Sequence, residues 1–158
     1  MILDRQTEVR LDGEADTARL GQALAAALQA GEAICLSGPL GAGKSTLARA
    51  LIRARTRPDE DVPSPTFTLV QFYEGRGLPI AHFDLYRLTS PDEAYEIGLD
   101  EALEDGAALI EWPERLDALP PHRLEVRITP ETGADESVRR VRLEAHGAWE
   151  GRKVEFGS

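Results

Sequence analysis

Residues Gly38-Pro39-Leu40-Gly41-Ala42-Gly43-Lys44-Ser45 fit the pattern G-x-x-x-x-G-K-[ST]. With this chain's own residue frequencies, such a match arises by chance roughly once in 700 chains of this length. Its surroundings fit as well. Ala33-Ile34-Cys35-Leu36 precedes it as a wholly apolar run, the pattern of a strand buried on both faces. Leu47, Leu51 and Ile52 follow at helical spacing, on a segment that must end before Pro58. Basic charge in the chain is carried by 16 Arg and only two Lys, so the lysine at 44 is a choice the sequence rarely makes. Glycines at these positions let the backbone turn tightly with several N–H groups aimed inward, and the helix start adds partial positive charge. The pattern therefore predicts a phosphate cradle from Leu40, Gly41, Ala42, Gly43, Lys44, Ser45 and Thr46. In it Lys44 reaches the β- and γ-phosphates and the Ser45 hydroxyl ligates Mg²⁺.

The rest of the chain reads as a layered α/β domain around that loop. Residues 7–11 alternate as an opening strand, and Leu20, Leu24 and Leu28 mark a helix capped at Asp16 and stopped at Gly31. Pro58, Pro63 and Pro65 with the acids between them make 57–66 an exposed loop. Residues 68–73 and 78–83 form a predicted hairpin, and Ser90-Pro91-Asp92-Glu93 opens a helix expected from 91 to 104. Residues 107–110 make a further buried strand, and 124–129 with 138–143 make a terminal antiparallel pair. The implied architecture is a three-layer sandwich of the P-loop NTPase type, with a mixed, largely parallel sheet and antiparallel hairpins. Residues 1–145 are read as one domain and 146–158 as a tail with a minor structural role.

Charge and composition narrow the function. Eighteen basic against 28 acidic residues give a net charge of −10, which repels nucleic-acid backbones and anionic membranes. One cysteine, Cys35, precludes an internal disulfide and reads as an inert core thiol. No run approaches the roughly 18 apolar residues of a membrane span. These features predict a soluble cytoplasmic protein. The chain contains no asparagine, so it lacks the Asn-Lys-x-Asp element of guanine-specific switches. Adenine is the expected base and ATP the expected ligand.

Hydrolysis needs carboxylates that hold metal and orient water. Asp84 and Glu111 stand at the ends of two predicted strands, where ligands collect in open α/β sheets; the alternative is two surface carboxylates capping strands. Thr66 fits either a switch residue facing the γ-phosphate or an ordinary loop threonine. His82 is read as structural, with metal or base chemistry as the sharper alternative. Arg87 is assigned a structural ion pair ahead of a finger role. Arg49, Arg53 and Arg57 share one helix face, which by default is solvated.

Five segments together carry a resemblance: 38–46, Ser-Pro-Thr-Phe-Thr-Leu-Val (64–70), His-Phe-Asp-Leu-Tyr-Arg-Leu (82–88), Glu-Ile-Gly-Leu-Asp-Glu (96–101) and Leu-Ile-Glu-Trp (109–112). They resemble TsaE, formerly YjeE, the small ATPase family of bacterial tRNA threonylcarbamoyladenosine synthesis, in order from about residue 16 to 129. The resemblance implies that Ser45 and Glu111 hold Mg²⁺, that Asp84 is needed for hydrolysis, and that Lys44 and Thr66 serve catalysis near the γ-phosphate. Trp112, which otherwise reads as a core aromatic, would lie close to the nucleotide. It implies partners, TsaD and TsaB, with tRNA met through them. TsaD transfers the threonylcarbamoyl group to adenosine-37 of tRNAs reading ANN codons, and ATP hydrolysis resets the assembly. The chain departs from the family pattern at Pro39, which removes one loop N–H donor, and at Ser45, where threonine is commoner. A second function class, a small-molecule kinase, would need a lid rich in arginine, and the 57–67 loop is acidic after Arg57.

Overall fold

The computed structural model describes residues 1–39, 41–63, 69–131, 133 and 137–156. Strand β1 (Thr7–Asp12), helix α1 (Glu14–Ala27), strand β2 (Ala33–Ser37) and helix α2 (Lys44–Arg55) come first. Strands β3 (Val70–Gly75) and β4 (Leu78–Asp84), helices α3 (Asp92–Glu96) and α4 (Leu99–Asp105), and strand β5 (Ala107–Glu111) follow. The antiparallel pair β6 (Arg123–Pro130) and β7 (Val138–His146) completes one seven-stranded sheet of order β1-β7-β6-β2-β5-β4-β3. The fold is of the P-loop NTPase type. Parallel pairing is confined to the four central strands β6, β2, β5 and β4, and antiparallel hairpins flank them on both sides.

Alternation along the central strands sends side chains to two cores. Ile34, Leu36, Leu109 and Ile80 point to the face covered by Leu20 and Leu24 of α1 and Leu47 and Leu51 of α2. Ala33, Cys35, Ile110 and Phe83 point to the other face, against Ala94, Leu99 and Leu88. Both faces of β2 and β5 are thus buried, which is why these strands read as unbroken apolar runs. Cys35 is buried with them, and burial pushes its thiol up to about 12, so it stays protonated and inert.

Three local expectations are revised. Helix α1 starts at Glu14 behind Gly13; Asp16 lies in its first turn, and its Oδ2 accepts the Asp12 N–H at 2.9 Å. The helix expected over 91–104 is two short ones, because Gly98 at φ 101 leaves the right-handed helical region between them. The capping signal at its start is real, since the Glu93 carboxylate accepts the N–H groups of Thr89 and Ser90. The strand expected from 68 begins at Val70; Thr68 lies outside the described residues.

The segment after His146 is a structural member of the domain, and the boundary expected at 145 does not divide it from the rest. Trp149 is fully buried in the α1–α2 core, and Arg152 lies 4.4 Å from the centre of its ring. Arg152 also makes a bidentate pair with buried Glu32, at 2.7 and 2.6 Å. Leu3 N–H donates to the Arg152 carbonyl and Val154 N–H to the Met1 carbonyl, so both ends of the chain are tied together. Trp149→Ala is expected to cost about 3–5 kcal/mol of unfolding free energy, measured by urea denaturation. A loss below about 1 kcal/mol would mean that the segment is an appendage after all.

Candidate functional site

The phosphate loop leaves β2 beside its parallel neighbour β6. Gly38, at φ 138, lies so close to β6 that a Cβ there would sit 2.1 Å from the Ile128 carbonyl oxygen. The Pro39 carbonyl accepts the Ala42 N–H at 3.2 Å, and Gly43, at φ 110, turns the chain into α2. Arg139 of β7, which also lines the cleft, braces the loop: its Nε donates to the Ala42 carbonyl at 2.8 Å and its second terminal nitrogen to the Gly41 carbonyl at 3.4 Å.

That cleft, of about 750 Å³, is lined by Gly41, Gly43, Lys44, Ser45, Thr46 and, across from them, Asp84, Glu111 and Trp112. Asp84 and Glu111 are register partners on adjacent parallel strands, so their carboxylates leave the same face at the same level. Ala42 is fully buried under the loop and offers only its backbone. Leu40 and Thr66, both predicted at this site, lie outside the described residues. Arg87 is not among the residues lining the cleft.

Lys44 is the electrostatic centre. It is 6% exposed, and its Nζ has no hydrogen-bond partner among the described residues. It stands 4.2 Å above the ring of Trp112, a cation–π contact that replaces only part of its lost hydration. Trp112 adopts a left-handed backbone (φ 60), and its ring meets Tyr86 at 4.8 Å; it both packs on the second core and walls the cleft. Burial pushes the Asp84 carboxyl above the ordinary carboxylate range. The neighbouring Glu111 charge adds to that rise, while the Tyr86 N–H, donating to Asp84 Oδ1 at 3.1 Å, opposes it.

An unpartnered buried ammonium beneath a helix start needs an anion, and hydroxyl and carboxylate oxygens opposite it suit a hard divalent cation. The residues present therefore fit a phosphate-bearing ligand with Mg²⁺: Lys44 and the loop for phosphate, Ser45 and Glu111 for metal.

Sequence reasoning left two participants without a place in the site. His82, read as structural, hydrogen-bonds Glu111 at 2.6 Å; its sole signal was the two-residue spacing from Asp84, which puts both on one strand face. Arg139 carried no signal at all. Arg49, Arg53 and Arg57 do not share one helix face, since α2 ends at Arg55; Arg53 donates to the Glu60 carbonyl at 3.0 Å and Arg57, beyond the helix, pairs with Asp59 and Glu60. A second cluster of potential ligands, Glu125, Glu144 and His146, is already engaged: Glu125 meets Arg123 at 2.8 Å and His146 at 3.1 Å.

Comparison with known proteins bears on the family and the fold. The family model "Threonylcarbamoyl adenosine biosynthesis protein TsaE" matches residues 11–141. The tRNA threonylcarbamoyladenosine biosynthesis protein TsaE of Aquifex aeolicus is 41% identical over 137 residues, covering 86% of this chain and 94% of that protein. The protein of the same name from Rickettsia conorii is 40% identical over 119 residues, 75% of this chain and 68% of that one. The crystal structure of a Bacillus protein, YdiB, superposes with a TM-score of 0.68 at 28% identity, covering 93% of this chain and 88% of that one.

The raised Asp84 carboxyl has a consequence for stability. The native state holds the Asp84 proton to higher pH than the unfolded chain does, so ionising this group weakens the fold as pH rises through that window. In ligand-free protein, Asp84→Asn keeps an acceptor for the Tyr86 N–H and removes the buried charge. Thermal unfolding at neutral pH should therefore show the variant more stable than wild type. The advantage should shrink as pH falls below the ordinary carboxylate range, and an equal or lower Tm at neutral pH would contradict it.

Proposed function

The chain belongs to the TsaE family, and from that premise we propose that it is a Mg²⁺-dependent ATPase serving threonylcarbamoylation of adenosine-37 in tRNA. The observation that carries this reading is the buried, unpartnered Lys44 ammonium facing two carboxylates across a cleft. Bound ATP with Mg²⁺ supplies a phosphoanhydride whose hydrolysis yields ADP and phosphate. Loop N–H groups, the start of α2 and Lys44 bind and neutralise the phosphates. Ser45 Oγ and Glu111 hold the metal. Asp84 Oδ1 is taken by the Tyr86 N–H, leaving Oδ2 to orient a water and accept its proton. Thr66 is assigned to the γ-phosphate side by family resemblance alone.

Two further features support a role inside an assembly. A net charge of −10 leaves the grip on tRNA to partners, which the family resemblance names as TsaD and TsaB. In this reading hydrolysis resets that assembly between turnovers in the cytoplasm. A metabolite kinase is less well supported, because Arg57 at the start of the 57–67 loop pairs with that loop's own Asp59 and Glu60, and Arg55 donates to the Ala25 and Arg76 carbonyls.

Lys44→Ala is expected to abolish ATP and ADP binding in calorimetry. Asp84→Ala and Glu111→Ala should keep ADP affinity within about tenfold while hydrolysis, followed as phosphate release with TsaD and TsaB present, falls about 10²-fold or more. Normal turnover in either carboxylate variant would remove it from the mechanism.

A further inference from the structure

We propose that His82 is a positioning residue, fixing the metal-binding carboxylate of Glu111 through a single buried hydrogen bond. His82 sits on β4 two residues before Asp84, so its ring leaves the same face of the sheet as Asp84 and Glu111. In register it faces Leu109, one pleat behind Glu111. The Glu111 side chain meets it, with His82 Nε2 donating to Glu111 Oε2 at 2.6 Å. Both side chains are nearly sealed from solvent, at 3% and 9% exposure, so water does not compete for this bond.

The other ring nitrogen decides what the ring is for. Nδ1 is buried and has no hydrogen-bond partner among the described residues. A ring placed for general packing would be expected to satisfy both nitrogens; this one is held by Nε2 alone, which fixes the proton there and makes the ring a one-directional donor. With Oε2 occupied, Glu111 offers its other oxygen, and that carboxylate belongs to a residue lining the cleft. Carboxylates that ligate metals are generally held by such partners, whose loss costs about 10–100-fold in metal affinity or activity. His82 thus acts through Glu111 and is not itself among the residues lining the cleft.

This inference rests on the reading of Glu111 as a Mg²⁺ ligand, and the test separates the two. ADP and ATP-analogue affinities are measured in EDTA and across a Mg²⁺ titration for wild type, His82→Leu, His82→Gln and His82→Asn. The glutamine amide nitrogen reaches the position of His82 Nε2, whereas asparagine is polar but too short. His82→Leu and His82→Asn should each raise the Mg²⁺ concentration for half-maximal hydrolysis by about tenfold or more, with metal-free nucleotide affinity changed less than twofold. His82→Gln should recover most of the loss. Should the leucine variant fail to fold, the contrast between glutamine and asparagine carries the same test. A Mg²⁺ response in His82→Asn equal to wild type, or to that of His82→Gln, overturns the positioning role. A wild type whose nucleotide binding and hydrolysis ignore Mg²⁺ overturns the reading of Glu111, and this inference with it.

Discussion

A positive charge kept out of water, with no hydrogen-bond partner among the described residues, is the constraint around which this molecule is arranged. Lys44 has lost most of its hydration, and the face of Trp112 returns only part of what was lost. Two carboxylates also line the cleft, and burial, with the Glu111 charge adding to it, makes Asp84 resist ionisation. Phosphate on one side and a divalent cation on the other would relieve both. In the proposed reading the site is built at some expense to stability, which bound ligand would offset.

Topology explains why these groups converge. Strand β2 delivers the loop from the middle of the sheet, between β5 and β6. Glu111 ends the strand on one side of it, and Asp84 ends the next one out. On the opposite side, β6 runs close beside Gly38 and β7 supplies the Arg139 brace. All the strands that matter end at the same edge of the parallel core, which is where open α/β sheets place their ligands. The face carrying Asp84, His82 and Glu111 is the one covered by α1 and α2, so the apolar core gives way to polar groups only at its rim.

Local chemistry was legible in the sequence wherever one residue type is demanded at a fixed place. The loop, its lysine, the strand before it and the helix after it all follow from glycine spacing and apolar periodicity. Asp84 and Glu111 could be nominated because a carboxylate directly after a buried run has few other reasons to be there. Long-range pairings were not legible. The His82–Glu111 bond spans 29 residues and depends on the register of two parallel strands, which no local pattern encodes. The Arg139–Ala42 contact spans 97 residues, and Arg139 looks like any other arginine on an alternating strand. Gly98 sits inside a convincing helical pattern, and only its left-handed backbone reveals the break. Trp149 read as part of a tail because the partner that gives it a role, the Glu32-bound Arg152, lies against a helix end far back in the chain.

The brace from β7 also bears on the order of events during synthesis. The loop itself is made early, but the strands that flank β2 comprise residues 107–111 and 123–130, and the arginine that steadies the loop comes later still, at 139. A chain emerging vectorially from the ribosome therefore carries its glycine-rich turn for about a hundred residues before the β7 brace on that turn is made.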